Sequence, residues 1–380
     1  MGPEESAYGS IGEHFNDLED PRIDRTKHHR LLDIIAIAIC GVICGADNWV
    51  DLELFGRSKE EWLKRFLSLP NGIPSHDTFG RVFARLDPEQ FAQCFTSWVK
   101  AVSQLTQGQV IAIDGKTLRR SHDRANGKSA IHMVSAWASA NHLVLGQVKV
   151  DDKSNEITAI PELLGVLELS GCIVTIDAMG CQKGIARQIV EQGGDYVLAL
   201  KENQGGLYQE VTDTFERGLG IGFEGLEHDF QQTVGKGHGR IETRQCWVVS
   251  DPEVLEYLNR GGAWEGLRSV AMVRAKRVAG KKEEVEDRYY ISTLPGDARR
   301  LLAATRTHWE IENCVHWVLD IAFDEDNSRV RQGHAPQNLA VVRHLALNLL
   351  KMEQTSKGGI KARRKRAGWD EDYLLKVLSQ

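Results

Sequence analysis

An α/β fold with a mixed sheet, preceded by an all-helical module, is what this chain of 380 residues predicts. Three observations carry that prediction. Up to residue 107 the apolar residues recur at helical spacing, in runs at 31–44, 49–66 and 91–105. At residue 109 the texture turns to short apolar and β-branched runs. Beyond residue 157 such runs alternate with helical segments, the pattern of parallel strands joined by crossover helices.

Within the helical section, Leu69-Pro-Asn-Gly-Ile-Pro74 is turn chemistry, and Ser75 or Asp77 is placed to cap the helix that follows. Strands are expected at 110–114, 131–138 and 143–150, with connections tight enough for an antiparallel meander. A helix at 157–169, a strand at 172–177, a helix at 183–191 and a strand at 196–200 come next. The order βββαβαβ is that of a ribonuclease H-like sheet. From 201 to 294 the pattern loosens into a glycine-rich, mostly β stretch. Helical segments at 297–323 and 336–352 close the core, and a basic tail with Lys361, Arg363, Arg364, Lys365 and Arg366 follows. The expected division is a helical domain over 1–107, a core built from 108–202 and 295–355, a β-rich insertion over 203–294, and a tail over 356–380.

Hydrophobic content of 42% and charged content of 26% are those of an ordinary globular protein. The longest apolar stretch, residues 31–45, carries Asp33 and is too short to span a bilayer. The N-terminus shows no basic region followed by an apolar one, so a cytoplasmic protein without a membrane partner is expected. A net charge of −6 excludes a uniformly basic coat but leaves room for a local basic face. Seven cysteines without a Cys-x-x-Cys pair point to neither disulfides nor structural zinc.

The chemistry concentrates in acids. Gln109-Val-Ile-Ala-Ile-Asp114 and Cys172-Ile-Val-Thr-Ile-Asp177 are apolar strands that each end in an aspartate, 63 residues apart. Their strands are neighbours in the expected sheet, and ligands sit at the carboxyl ends of such strands. Carboxylates delivered in this way suit a two-metal phosphoryl-transfer site. The competing reading of Asp114-Gly115 is a two-residue hairpin turn. Gly115-Lys-Thr is not a P-loop, because Val110 stands where that loop needs its first glycine. A third acid is open among Glu310, Glu312, Asp320, Asp324, Glu325 and Asp326. On a regular helix His308, Glu312, Val315, His316 and Leu319 share one face, with Trp309 and Val318 as anchors. Arg240, Glu242 and Arg244 share one face of a strand, the pattern either of an edge-strand ion-pair ladder or of a DNA contact.

Several segments then resemble, in order, a bacterial insertion-sequence transposase of the DDE type, close to the H-repeat-associated group. They include Asn71-Gly-Ile-Pro-Ser-His-Asp-Thr-Phe79, Ile113-Asp-Gly-Lys-Thr-Leu-Arg-Arg120, Thr175-Ile-Asp-Ala-Met-Gly180, Leu200-Lys-Glu-Asn-Gln204, His238-Gly-Arg-Ile-Glu-Thr-Arg244 and His308-Trp-Glu-Ile-Glu-Asn313. The resemblance implies a metal-binding catalytic triad of Asp114, Asp177 and Glu312. It implies two Mg²⁺ ions spaced ~4 Å apart, with Mn²⁺ as a substitute. Cleavage at the ends of the element and strand transfer into target DNA are the implied reactions. The implied partners are double-stranded DNA, as terminal inverted repeats and as target, and a second copy of the chain in the synaptic complex. The N-terminal helical domain becomes a DNA-binding domain, and a nucleoid-associated location follows. The alternatives are a ribonuclease H-like nuclease without strand transfer and an inactive DNA-binding descendant. Where related enzymes carry Tyr, Arg and Lys around the glutamate, this chain has Thr305, His308 and Leu319. Phosphate contacts are therefore expected from Lys116, Lys183, Lys201, His308, His316 or Arg329.

Overall fold

The computed structural model describes residues 9, 11–103, 106–122, 129–151, 155–237 and 240–380. Its centre is one sheet of nine strands in the order β3-β2-β1-β4-β5-β9-β8-β7-β6. β1 (Val110–Thr117), β2 (His132–Ala138) and β3 (Leu143–Lys149) form the antiparallel meander. β4 (Ile173–Ile176) and β5 (Asp195–Leu200) then add in parallel beside β1. This ribonuclease H-like half matches the expected order. Its helices are α6 (Glu156–Val166), started by an Asn155 side-chain cap, and α7 (Lys183–Glu191).

Ahead of the sheet come α1 (Leu31–Ile43), α2 (Trp49–Ser58), α3 (Glu60–Leu63), α4 (His76–Arg85) and α5 (Pro88–Val102). Polar caps mark three of their starts: Asn48, Ser75 and Asp87 each accept a bond from an N–H of the first turn. Ser75, rather than Asp77, caps α4.

The expected insertion is less separate than its sequence texture implies. After α8 (Gly205–Ile221) come β6 (His228–Gly237), β7 (Arg240–Val249), α9 (Pro252–Leu258), β8 (Ser269–Ala279) and β9 (Lys282–Ser292). β9 pairs antiparallel with β5, from Val197↔Ser292 to Leu200↔Tyr289, so these strands lengthen the same sheet. Of the expected His238–Arg244 segment, residues 238 and 239 lie outside the described residues.

α10 (Ala298–His308) crosses one face of this sheet. Its Ala298, Leu301, Leu302 and Ala304 are buried against Val197, Val248, Ala271 and Tyr290, a helical stripe seated on flat apolar strands. A π-helical turn at Glu312–His316 and α11 (Trp317–Phe323) continue it. α12 (Ala335–Met352) is buried along nearly its whole length and joins the N-terminal helices to the sheet. Two buried asparagines make the join directional. Asn338 Nδ2 donates to the carbonyls of Phe83 (2.9 Å) and Leu86 (3.1 Å). Asn348 accepts from Val144 N–H (2.8 Å) and donates to Val144 C=O (2.9 Å), which closes part of the exposed edge of β3. Asn348→Leu strands both backbone groups, so it should destabilise the fold by about 2–4 kcal/mol, read as a lower urea midpoint at unchanged slope.

The basic tail is a correction. Residues 360–378 fold into α13 (Ile360–Trp369) and α14 (Glu371–Leu378), with Tyr373, Leu374, Val377 and Leu378 buried. Arg364 is 3% exposed and donates to Val42 O (2.9 Å), Ala46 O (3.2 Å), Ala322 O and Asp47 Oδ1 (2.9 Å). Arg363 does the same for Leu350 O and Glu353 O at the end of α12. These cations satisfy orphan carbonyls at helix C-termini, which a tally of charge alone reads as a solvated tail. Among the described residues no helix is long and apolar enough to cross a membrane.

Candidate active site

β1 and β4 pair in parallel from Val110↔Ile173 to Ile113↔Ile176, a constant offset of 63 residues. Asp114 and Asp177 are the residues that follow the last rung, so they leave adjacent strands about 4.8 Å apart. β4 ends there. β1 does not end: it runs on through Asp114↔Ser135 to Thr117↔His132. Asp114 is thus a mid-strand residue that projects where its parallel partner stops, and the hairpin reading of Asp114-Gly115 fails. Packing, rather than a turn, demands the glycine. A Cβ at Gly115 would collide with the Glu156 carboxylate and the His132 ring, which bond each other (2.5 Å) across it.

Asp177 turns the chain into an Asx turn: its Oδ1 accepts from the N–H groups of Met179 (3.0 Å) and Gly180 (3.3 Å). Burial raises its pKa, aided by the Glu156 charge and opposed by those two N–H groups.

The third acid arrives on the π turn. A regular helix would place His316 one turn after Glu312; the wider turn leaves both side chains over Asp114. His316 Nδ1 is 3.5 Å from Asp114 Oδ2 and 3.6 Å from Glu312 Oε2. One donor atom from each of the three lies within 4.8 Å of the others. Burial pushes the Asp114 pKa up to about 6; His316 opposes this, while the Glu312 and Asp177 charges add to it. The His316 ring holds Glu312 below the ordinary carboxylate range. A buried carboxylate held this high beside two others is an environment in need of a cation.

Lys116, two residues along β1, fixes the turn from below. Its Nζ donates to Asp320 Oδ1 (2.5 Å), Glu325 Oε2 (2.9 Å) and the carbonyl of His316 itself (3.2 Å). All three ammonium donors are taken, which leaves none for a phosphate. Glu325, 3% exposed, also faces Arg343 Nη1 at 3.6 Å.

A cavity of about 220 Å³ opens over Asp114, Asp177 and Glu312. Lys201, Thr305, His308 and Trp309 line it together with Arg288 and Tyr290, for which no role was expected. His308 Nδ1 lies 3.1 Å from Thr175 Oγ1, and burial pulls its pKa down to about 4, so it is neutral at physiological pH. Trp309 does not anchor the helix: it is 47% exposed, with the Arg288 guanidinium 4.4 Å above its ring. Lys183 is exposed at the start of α7. Arg329 lies in a separate groove with Trp49, His76 and Arg81. The expected ion-pair ladder is present in part, as Glu242 bonds Arg244 (2.9 Å) and, across the sheet, Arg277 (3.0 Å).

Comparison with known proteins identifies the family. The transposase DDE domain matches residues 105–349, and the DDE_Tnp_1-associated domain matches residues 12–99. The chain belongs to the DDE transposase family. It is 40% identical over 371 residues to the "H repeat-associated putative transposase YhhI" of Escherichia coli (strain K12), covering 97% of each chain. It is 41% identical over 375 residues to the "Putative transposase YncI" of Escherichia coli O157:H7, covering 97% of this chain and 94% of that one. A looser likeness joins it to the piggyBac transposase synaptic complex with hairpin DNA: 10% identity and a TM-score of 0.41, over 99% of this chain and 79% of that one. Membership of the DDE transposases brings DNA as the partner and a divalent metal as the cofactor. The Asp114, Glu312 and His316 donors fit such an ion in number, spacing and charge.

Proposed function

We propose that this DDE transposase cuts DNA at the ends of its insertion sequence and joins the freed 3′ ends to target DNA, with Asp114, Asp177 and Glu312 as its metal-binding catalytic carboxylates. The observation that carries the proposal is that Asp114 and Asp177, which follow the last rung of the parallel pair, line one cavity with Glu312 on the π turn. Asp114 and Glu312 face one another and would hold one ion; the second oxygen of Asp177 is free of the Asx turn for another. Bound Mg²⁺ supplies Lewis-acid polarisation of the phosphate and a water of lowered pKa. The chain's own residues do the rest. Lys116 keeps the Glu312 turn against β1, and the Asx turn fixes the rotamer of Asp177. Exposed Lys201 stands at the cavity as a charge for the entering phosphodiester. His316 adds a nitrogen donor that suits Mn²⁺ as a substitute. Two DNA ends handled together require at least two copies of the chain.

The test offers the purified protein a duplex carrying the element's end and, separately, a pre-nicked end with a supercoiled target. Mg²⁺-dependent nicking followed by joining is expected. Nicking without joining would mark a nuclease, and binding without nicking a DNA-binding descendant; either defeats the proposal.

The raised pKa of Asp114 gives the site a proton linkage. A carboxyl near pKa 6 is largely protonated below that pH and must lose its proton to bind a metal. Divalent-metal affinity, measured by calorimetry, should therefore fall as pH drops through about 6, with proton uptake by the protein when metal is withdrawn. A flat affinity between pH 5 and 7.5, on the order of these bounds, would contradict it.

A further inference from the structure

A second groove, of about 470 Å³, opens from the carboxylate cavity and shares Arg288, Tyr290, Thr305 and Trp309 with it. Its floor is the lengthened part of the sheet, with Arg240, Glu242 and Arg244 on β7 and Arg277 on β8; its wall is α10, through Arg306. Five arginines stand there against two glutamates, Glu242 and Glu310, in a chain whose net charge is −6. Glu242 spans Arg244 and Arg277 and so fixes their planes, leaving further N–H donors of each guanidinium unspent. Arg240 and Arg306 are exposed and have no acceptor among the described residues. Arg288 is itself paired with Glu286 (2.8 Å), so the charge left without a counter-ion on this rigid sheet and its helical wall is that of Arg240 and Arg306.

We propose that this groove holds the sugar-phosphate backbone of the DNA strand being cut, on the stretch next to the scissile phosphate. The inference rests on the proposed cleavage at the carboxylates and adds the surface that presents the strand to them. The strand is the occupant because the groove borders the cavity, with four lining residues in common. Its contacts are to phosphate, since guanidiniums on a sheet floor give charge and register rather than a base-edge code. Trp309, under Arg288 at the junction, marks the point at which the strand turns from groove to cavity.

The test is the salt dependence of binding to a short duplex of arbitrary sequence with one frayed end, measured by fluorescence anisotropy on the full chain in Ca²⁺. For Arg240→Gln with Arg306→Gln, the slope of log K against log salt should fall by about 2, and binding should weaken alike for unrelated sequences. Lys276→Gln, on the opposite face of β8 and paired there with Glu283, should leave the slope unchanged. The proposal is overturned if the arginine pair leaves affinity and slope at the parental values, or if Lys276→Gln lowers them equally. Both arginines are exposed, and coincident thermal melts verify the fold of each variant. Failure of the parent to cleave would defeat the functional reading alone, whereas normal DNA binding by the arginine variants of a cleaving parent would defeat the groove alone.

Discussion

Asp114→Asn and Asp177→Asn should each reduce divalent-metal-dependent strand cleavage by about 10³-fold or more, with DNA binding held within a few-fold of the parent. The magnitude follows from the several kcal/mol of charge stabilisation that a correctly held metal contributes, at a factor of ten for each ~1.4 kcal/mol. Asparagine isolates the charge. At Asp177 its side-chain carbonyl still accepts from the N–H groups of Met179 and Gly180, so the turn survives while the anion is lost. At Asp114 the same change has a second consequence of opposite sign. The folded pKa of Asp114 lies above its unfolded value, so this group's contribution to stability is complete below about pH 4 and is lost as pH rises through about 6. At pH 7 and without metal the parent therefore carries a penalty that Asn removes. Asp114→Asn should be inactive and yet more stable by on the order of 1–3 kcal/mol, while excess divalent metal should restore the order in favour of the parent. Full cleavage by both variants would end the assignment, and an Asp114→Asn protein less stable than the metal-free parent would contradict the electrostatic account.

The two aspartates were legible because a parallel pair preserves offset: residues 63 apart in sequence are also 63 apart in register, and apolar strands announce both. What followed Asp114 was not legible. Asp-Gly is turn chemistry locally, and the strand continues only because Gly115 lies beneath His132 and Glu156, residues distant in sequence. Glu312 could be chosen from its neighbours only by family likeness. Helical spacing does place Glu312 and His316 on one side, but nothing in Glu-Asn-Cys-Val-His marks a π turn. That turn is recorded in Lys116, which takes the His316 carbonyl from 200 residues away. The joining of the later strands to β5 escaped for a related reason. Glycine-rich sequence shows where strands are interrupted, whereas pairing with β9 is settled by which edge lies open. Basic residues misled in both directions. Arg364 and Lys116 are spent inside the fold, and the arginines that line a groove are distributed over three strands and a helix, so the run 240–244 displays only two of them.

Lys116→Met should cost about 3–5 kcal/mol of stability, the cost expected when one partner is removed from a buried ion network. Lys116 is nearly enclosed, at 13% side-chain exposure, and Glu325 is at 2%. Burial pushes the Glu325 carboxyl up, and Lys116 with Arg343 more than reverses it, so the acid is held ionised below its ordinary range. A group with a depressed folded pKa contributes stability above its unfolded pKa and loses it as pH falls through the folded one. The cost of Lys116→Met should accordingly be largest at neutral pH and shrink in acid, where Glu325 can accept a proton in place of its partner. Adding Glu325→Gln should recover part of the loss at pH 7, because the stranded charge is then gone. Asp320, at 29% exposure, can turn to water and needs no such rescue. Since the same ammonium holds the His316 carbonyl, the variant should also bind divalent metal more weakly at Asp114 and Glu312, even in the double mutant with restored stability. Recovery of stability together with metal affinity would reduce Lys116 to a counter-charge. Recovery of stability alone would make it the residue that ties the π turn to the strand bearing Asp114.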